Sequence, residues 1–249
     1  MLTYLKLKLY RRFQKRFRPY QTKLAGFTVH YNDPRSLFSE YKLIFKDKIY
    51  QFDSLNKAPL IIDGGSHIGL SILYFKYIYP QSKIIGFEPD QETLTFLKKN
   101  VNGLTNVQII ESGLYSQDDE ISFDPDKTDG GKISTEGRNK IKVESLSKYI
   151  NSEVDFLKLN IEGAELEVLK DLDTNGKFPL IKELCLEWHS FAGQKQNLGE
   201  LLSILEKNGF KYLVNHFDYR INPRLKPPFK LSEKTQYYLL IYAKSTDYH

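Results

Sequence analysis

The stretch Pro59-Leu60-Ile61-Ile62-Asp63-Gly64-Gly65-Ser66-His67-Ile68-Gly69 decides the fold. Four residues of continuous apolar character end in an acid and a glycine-rich turn, and a helical apolar pattern follows at Ile68, Ile72, Phe75 and Tyr79. A short unbroken apolar run bounded by glycines is the mark of a strand buried on both faces, so a parallel sheet is expected. The glycines let the chain turn sharply and come close to a ligand, while the N-terminus of the next helix favours negative charge.

The same unit repeats downstream. Lys83-Ile84-Ile85-Gly86-Phe87 reads as a second strand, with Leu94, Leu97 and Val101 marking its helix. Asn106 to Ile110 gives a third strand, Val154 to Leu159 a fourth and Ile181 to Trp188 a fifth. Glu162 opens the helix carrying Leu166 and Leu169. Leu198, Leu201, Leu202 and Leu205 form another apolar stripe, closed by Gly209. Phe210 to Val214 and Tyr237 to Ala243 complete seven strands. A loop containing Pro223, Pro227 and Pro228 replaces a helix between the last two, which suits an antiparallel final strand. The expectation is an α/β, Rossmann-like class I methyltransferase fold: a mostly parallel seven-stranded sheet with helices on both faces. Residues 27–52 read as short aromatic strands around a turn at Asn32-Asp33-Pro34, and 117–140 as a hairpin or exposed loop.

The glycine turn is D-x-G-x-x-x-G, not the G-x-G-x-x-G that cradles a dinucleotide pyrophosphate. S-adenosylmethionine has no pyrophosphate; it presents an amino-acid end, a sulfonium and a ribose. Asp63 at the strand end is placed to accept from its ammonium. Glu88, in Gly86-Phe87-Glu88-Pro89-Asp90, lies 19 residues beyond Gly69, close to the ~20-residue offset of a carboxylate that holds ribose hydroxyls. The expected cofactor set is Asp63, Gly64, Gly65, Ser66, His67, Gly69, Glu88, Pro89 and Ser112.

Taken together, Ile62 to Gly69, Phe87-Glu88-Pro89, Lys158-Leu159-Asn160-Ile161-Glu162-Gly163-Ala164-Glu165 and Glu187-Trp188-His189 resemble the FkbM family of S-adenosylmethionine-dependent methyltransferases over about residues 45–243. The K-x-D-x-E-G-x-E block is the specific part, and Asn160 departs from it where the family usually has Asp. The resemblance implies methyl transfer to a hydroxyl oxygen of a sugar, glycolipid or secondary metabolite, so the partner is a small-molecule or glycan acceptor. The Asn/Asp-Pro-Pro-aromatic element of many base N-methyltransferases is absent; the chain reads Asn160-Ile161-Glu162-Gly163 there. A non-catalytic binding protein of the same fold and a nicotinamide oxidoreductase are the competing readings.

Asn160, Glu162 and His189 are the candidate catalytic residues, because ligands of open parallel sheets sit beyond the carboxyl ends of the strands. An unperturbed imidazole titrates near ~6.5, which makes His189 the expected base and Glu162 its substitute. Glu165 reads mainly as a first-turn acid of its own helix. Lys158 sits inside an apolar strand, where it needs a carboxylate partner. No metal site is expected.

Charge divides the chain. Residues 1–23 hold eight cations and no acid, leaving 28 Lys and Arg against 31 Asp and Glu, a body near −3. Such a body has no footprint for nucleic acid. In the basic segment Leu2, Leu5, Leu9 and Phe13 share one helical face, with Pro19 ending the run. This face either lies on an anionic membrane or packs on its own domain. Lys6 and Lys8 interrupt any signal-peptide core, no stretch is long enough to span a bilayer, and the single cysteine, Cys185, excludes a disulfide framework. Cytoplasmic residence, with peripheral membrane contact through 1–23, is the expectation, with 24–249 forming one methyltransferase domain.

Overall fold

The computed structural model describes residues 2–124, 132–133, 139–191, 193–216 and 237–247. Helix α1 (Leu2–Phe13) leads into a hairpin of β1 (Tyr20–Leu24) and β2 (Phe27–Tyr31), and then α2 (Pro34–Glu40) continues as a π-helical turn over Tyr41–Lys46. The alternating core follows: β3 (Leu60–Gly64), α3 (Leu70–Ile78), β4 (Lys83–Phe87), α4 (Gln91–Val101) and β5 (Val107–Ile110). A side sheet comprises β6 (Gly113–Tyr115), β7 (Asp119–Asp124), β8 (Lys132–Ile133) and β9 (Asn139–Ser145). The core resumes with β10 (Phe156–Leu159), α5 (Glu165–Thr174), β11 (Glu183–Ser190), α6 (Leu198–Lys207), β12 (Phe210–His216) and β13 (Tyr237–Ser245).

The main sheet runs β12-β13-β11-β10-β3-β4-β5. β10, β3, β4, β5 and β11 pair in parallel, and β13 is antiparallel to both β11 and β12. This is the expected sheet. The strand order reverses between β3 and β10, so a crevice opens beyond their carboxyl ends. On one face α3 and α4 bury Leu73, Phe75 and Leu97; on the other, α5 and α6 bury Leu169, Leu172 and Leu205. Each such side chain contributes about 1.5–3 kcal/mol. Phe52 stacks on Phe156 with centroids 4.5 Å apart, tying the segment before β3 to β10.

One local expectation changes. Asn32-Asp33-Pro34 is a helix start and not a turn between strands: the Asp33 carboxylate accepts from the Arg35 amide at 3.0 Å as N-cap, and Pro34 opens α2 with its fixed φ. Within 117–140, β7 and β9 form an antiparallel pair with β8 at its edge; residues 125–131 and 134–138 lie outside the described residues. The loop with Pro223, Pro227 and Pro228 also lies outside them.

In α1 the packed side is not the expected stripe. Leu7 is fully buried, with Tyr4 and Tyr10 against the core, while Leu2, Leu5, Leu9 and Phe13 are exposed. No described helix is long and apolar enough to cross a membrane.

Candidate active site

The glycine loop is fastened to both neighbouring strands. Gly64 ends β3 and Gly69 precedes α3. Gly65 has φ +79°, and a Cβ there would lie 1.9 Å from the Asn160 carbonyl oxygen, so only glycine lets the loop seat on the end of β10. The Gly65 and Ser66 amides donate to the Phe87 carbonyl at 3.1 and 2.8 Å, and the Ser66 hydroxyl donates back to the Asp63 carbonyl. His67 takes a left-handed φ of 48°, unusual for a side chain of its size. Its amide donates to Glu88 at 2.9 Å, and its Nδ1 lies 2.7 Å from Glu40 at the end of α2.

Glu88 thereby joins the loop to the end of β4, accepting also from the Asp90 amide at 2.9 Å. Burial raises its pKa; the two amides and nearby His67 pull the other way. Pro89 separates it from Asp90, which caps α4 by accepting from the Thr93 amide. Ser112, two residues past β5, is buried with an Oγ that has no hydrogen-bond partner among the described residues.

Asp63 is placed differently from the expectation. Its side chain is fully buried; Oδ1 lies 2.9 Å from Lys158 Nζ, and Oδ2 accepts from the Ser71 hydroxyl. Lys158 Nζ also donates to the Gly64 and Gly65 carbonyls at 3.0 and 2.6 Å. The carboxylate expected to meet a ligand ammonium is instead the counter-ion of a buried lysine that staples the loop to β10. Low dielectric forces that pairing, because either charge alone would be costly there.

The second cluster forms where β10 and β11 end. Glu187 and His189 share a face of β11, as strand alternation requires. His189 Nε2 lies 3.4 Å from Glu162 Oε2, and its Nδ1 lies 3.2 Å from Glu165 Oε1. Glu165 does double duty, since it also accepts from the Ile161 and Gly163 amides and closes the turn before α5. The His189 ring stacks on Phe191, centroids 5.6 Å apart and 9° between planes. Phe191 also occupies the space beside Gly163 (φ +104°), where a Cβ would come within 2.7 Å of the ring. Glu162 itself has φ +54°, a second strained residue at the site. Tyr50 reaches in from the segment before β3 and donates to Glu187 at 2.8 Å.

This arrangement fixes the protonation of His189. Burial alone would lower its pKa, but the charges of Glu162 and Glu165, and the hydrogen bond to Glu165, raise it to about 10. The shift favours the imidazolium at neutral pH over the neutral base expected from an unperturbed histidine. Glu187 is shifted upward by burial, against the His189 charge and the Tyr50 hydrogen bond. Asn160 lies between the two clusters: its amide donates to the Gly64 carbonyl at 3.0 Å, and its buried Oδ1 has no partner among the described residues. Tyr50 and Glu40 carried no signal in the sequence, being 137 and 27 positions from the groups they meet, and Phe191, two residues past His189, was not singled out. Among the described residues no three of His, Cys, Asp and Glu are arranged to hold a metal ion.

The strand order, the single antiparallel strand and a glycine loop tied to an acid on the next strand define a Rossmann-like methyltransferase fold. A family model described as the methyltransferase FkbM domain matches residues 63–212, and the chain belongs to that family. Methyltransferase sdnD of Sordaria araneosa is 28% identical over 212 residues, covering 68% of this chain and 80% of that protein. Methyltransferase 1 of Beauveria bassiana is 28% identical over 226 residues, covering 78% and 89%. Among solved structures, an FkbM methyltransferase from Methylobacillus flagellatus KT superposes with a TM-score of 0.51 at 15% identity, covering 77% of this chain and 45% of that one. This chain therefore spans less than half of that protein. M. jannaschii TYW2, solved with AdoMet, gives 0.51 at 14% identity, covering 93% and 87%. At such identities the likeness is one of fold.

Proposed function

We propose that this chain transfers a methyl group from S-adenosylmethionine to a hydroxyl oxygen of a sugar, glycolipid or secondary metabolite. The observation that carries this reading is the cluster of two carboxylates on one histidine, Glu162–His189–Glu165, standing one strand away from a glycine loop clasped by Glu88. The residues present suit the cofactor. Glu88 has acceptor capacity beyond its two amide bonds for a ribose diol. Ser112 Oγ and Asn160 Oδ1 are buried polar atoms without partners among the described residues, and each is costly to leave unpaired. Asn160 keeps the acceptor oxygen of the family's usual Asp without its charge.

Bound at the loop, the cofactor supplies an electrophilic methyl group on a sulfonium. Glu162 is the most open member of the cluster, its side chain 20% exposed against 9% for His189 and 1% for Glu165. With the cofactor bound, it would take the acceptor's hydroxyl proton as the methyl carbon passes to oxygen and the carbon–sulfur electron pair stays with the departing neutral thioether. His189, held as an imidazolium by Glu165, fixes the Glu162 carboxylate in line and balances its charge. Tyr50 anchors Glu187 behind this pair. In-line placement supplies much of the rate, and the base adds about 10²–10⁴-fold.

Calorimetry of S-adenosylmethionine binding tests the cofactor half. Glu88→Ala leaves a diol without its acceptor and is expected to weaken binding by about 1–3 kcal/mol while the chain stays folded. Unchanged affinity would remove Glu88 from the site.

A further inference from the structure

We propose that the outward face of α1 docks this protein on an anionic lipid surface. The helix needs no partner to stay in place. Leu7 is fully buried, the Tyr4 ring lies 5.3 Å from that of Phe38, and Arg11 covers the Phe38 ring from 5.2 Å. Lys6 donates to the Lys23 carbonyl, tying α1 to the hairpin as well. Half a helical turn round from Leu7, the opposite face presents Leu2, Leu5, Leu9 and Phe13 at 86, 48, 56 and 71% exposure. Phe17, in the turn after α1, is also exposed, at 42%. Side chains of this kind in a row on one solvent-facing helix mark an interaction surface.

Charge selects the occupant. Lys8 and Arg12 lie on α1 beside the row and Lys15 and Arg18 follow in the turn after it, all exposed and without an ion pair among the described residues. Their stems can lie along the apolar row while the charged ends reach outward to headgroup phosphates. A second copy of the chain would bring the same cations face to face across a two-fold axis, which disfavours it. A lone convex helix offers no groove for an acidic peptide. An anionic bilayer supplies both the apolar depth and the negative surface, and the near −3 body is repelled from it elsewhere, which orients the molecule helix-first.

Sedimentation of the full chain with phosphatidylcholine vesicles, with and without about one-third phosphatidylserine, tests this. Binding is expected only with the anionic lipid, falling at least about tenfold between about 0.1 and 0.5 M salt. Leu9→Glu/Phe13→Glu and Lys8→Glu/Arg12→Glu are each expected to weaken it at least about tenfold. Both variants change exposed positions and should keep the wild-type affinity for S-adenosylmethionine, which reports their folding. Equal sedimentation with neutral vesicles, or no loss in either variant, would overturn the proposal. So would a lipid-free dimer that Leu9→Glu/Phe13→Glu converts to monomer, which gives the face to a second copy. Tighter binding of polyglutamate than of vesicles would give it to an acidic protein.

Discussion

At the scale of single residues, the chemistry turns on where His189 keeps its proton. In the unfolded chain it titrates near ~6.5; in the folded chain the flanking acids hold it to about 10. Its contribution to stability is therefore complete below about 6.5 and is lost as pH rises through about 10, because the native state keeps a proton the unfolded state releases. Chemical denaturation between about pH 7.5 and 9.5 should show wild type losing about 1.4 kcal/mol per pH unit relative to His189→Gln. Parallel curves would mean that His189 is neutral in the native state. The presence of His189 at the end of the fifth strand is legible in the sequence from strand alternation. Its protonation is not, because Glu165 comes from the next strand-to-helix turn and meets it only when β10 and β11 pair in register.

At the scale of elements, the staple between β10 and the glycine loop sets where that loop sits. Lys158 holds Asp63 and two loop carbonyls at once, so Lys158→Ala would leave a buried carboxylate unpaired. A loss of about 3–5 kcal/mol in unfolding free energy is expected. Lys158→Ala with wild-type stability would show that Asp63 finds other partners. The need of Lys158 for a carboxylate followed from its place in an apolar run; which carboxylate did not, since Asp63 looked equally suited to a ligand. Continuous apolar runs made the parallel strands visible, as burial on both faces leaves little room for polar side chains. Asn32-Asp33-Pro34 was ambiguous because the same residues serve a turn and a capped helix start. In α1 two faces compete: the row of Leu2, Leu5, Leu9 and Phe13 dominates the pattern, yet the amphipathic Tyr4 and Tyr10 join Leu7 on the packed side. Tyrosine buries its ring and keeps its hydroxyl wet, a choice that hydrophobic periodicity does not register.

At the scale of the molecule, the sheet brings a cofactor-sized loop, an acid-flanked imidazolium and an outward-facing basic helix into one body. Family membership accounts for methyl transfer, while the proposal of an oxygen acceptor rests on the cluster at the ends of β10 and β11. Incubating wild-type protein and Glu162→Gln with S-adenosylmethionine carrying an isotopically heavy methyl group, in an extract, reads that choice directly by mass spectrometry. The expected result is a product bearing the heavy methyl as an ether on oxygen, formed only with protein and cofactor together and reduced about 10²–10⁴-fold by Glu162→Gln. Heavy methyl found on nitrogen or carbon, undiminished turnover in Glu162→Gln, or no cofactor-dependent product at all would contradict it.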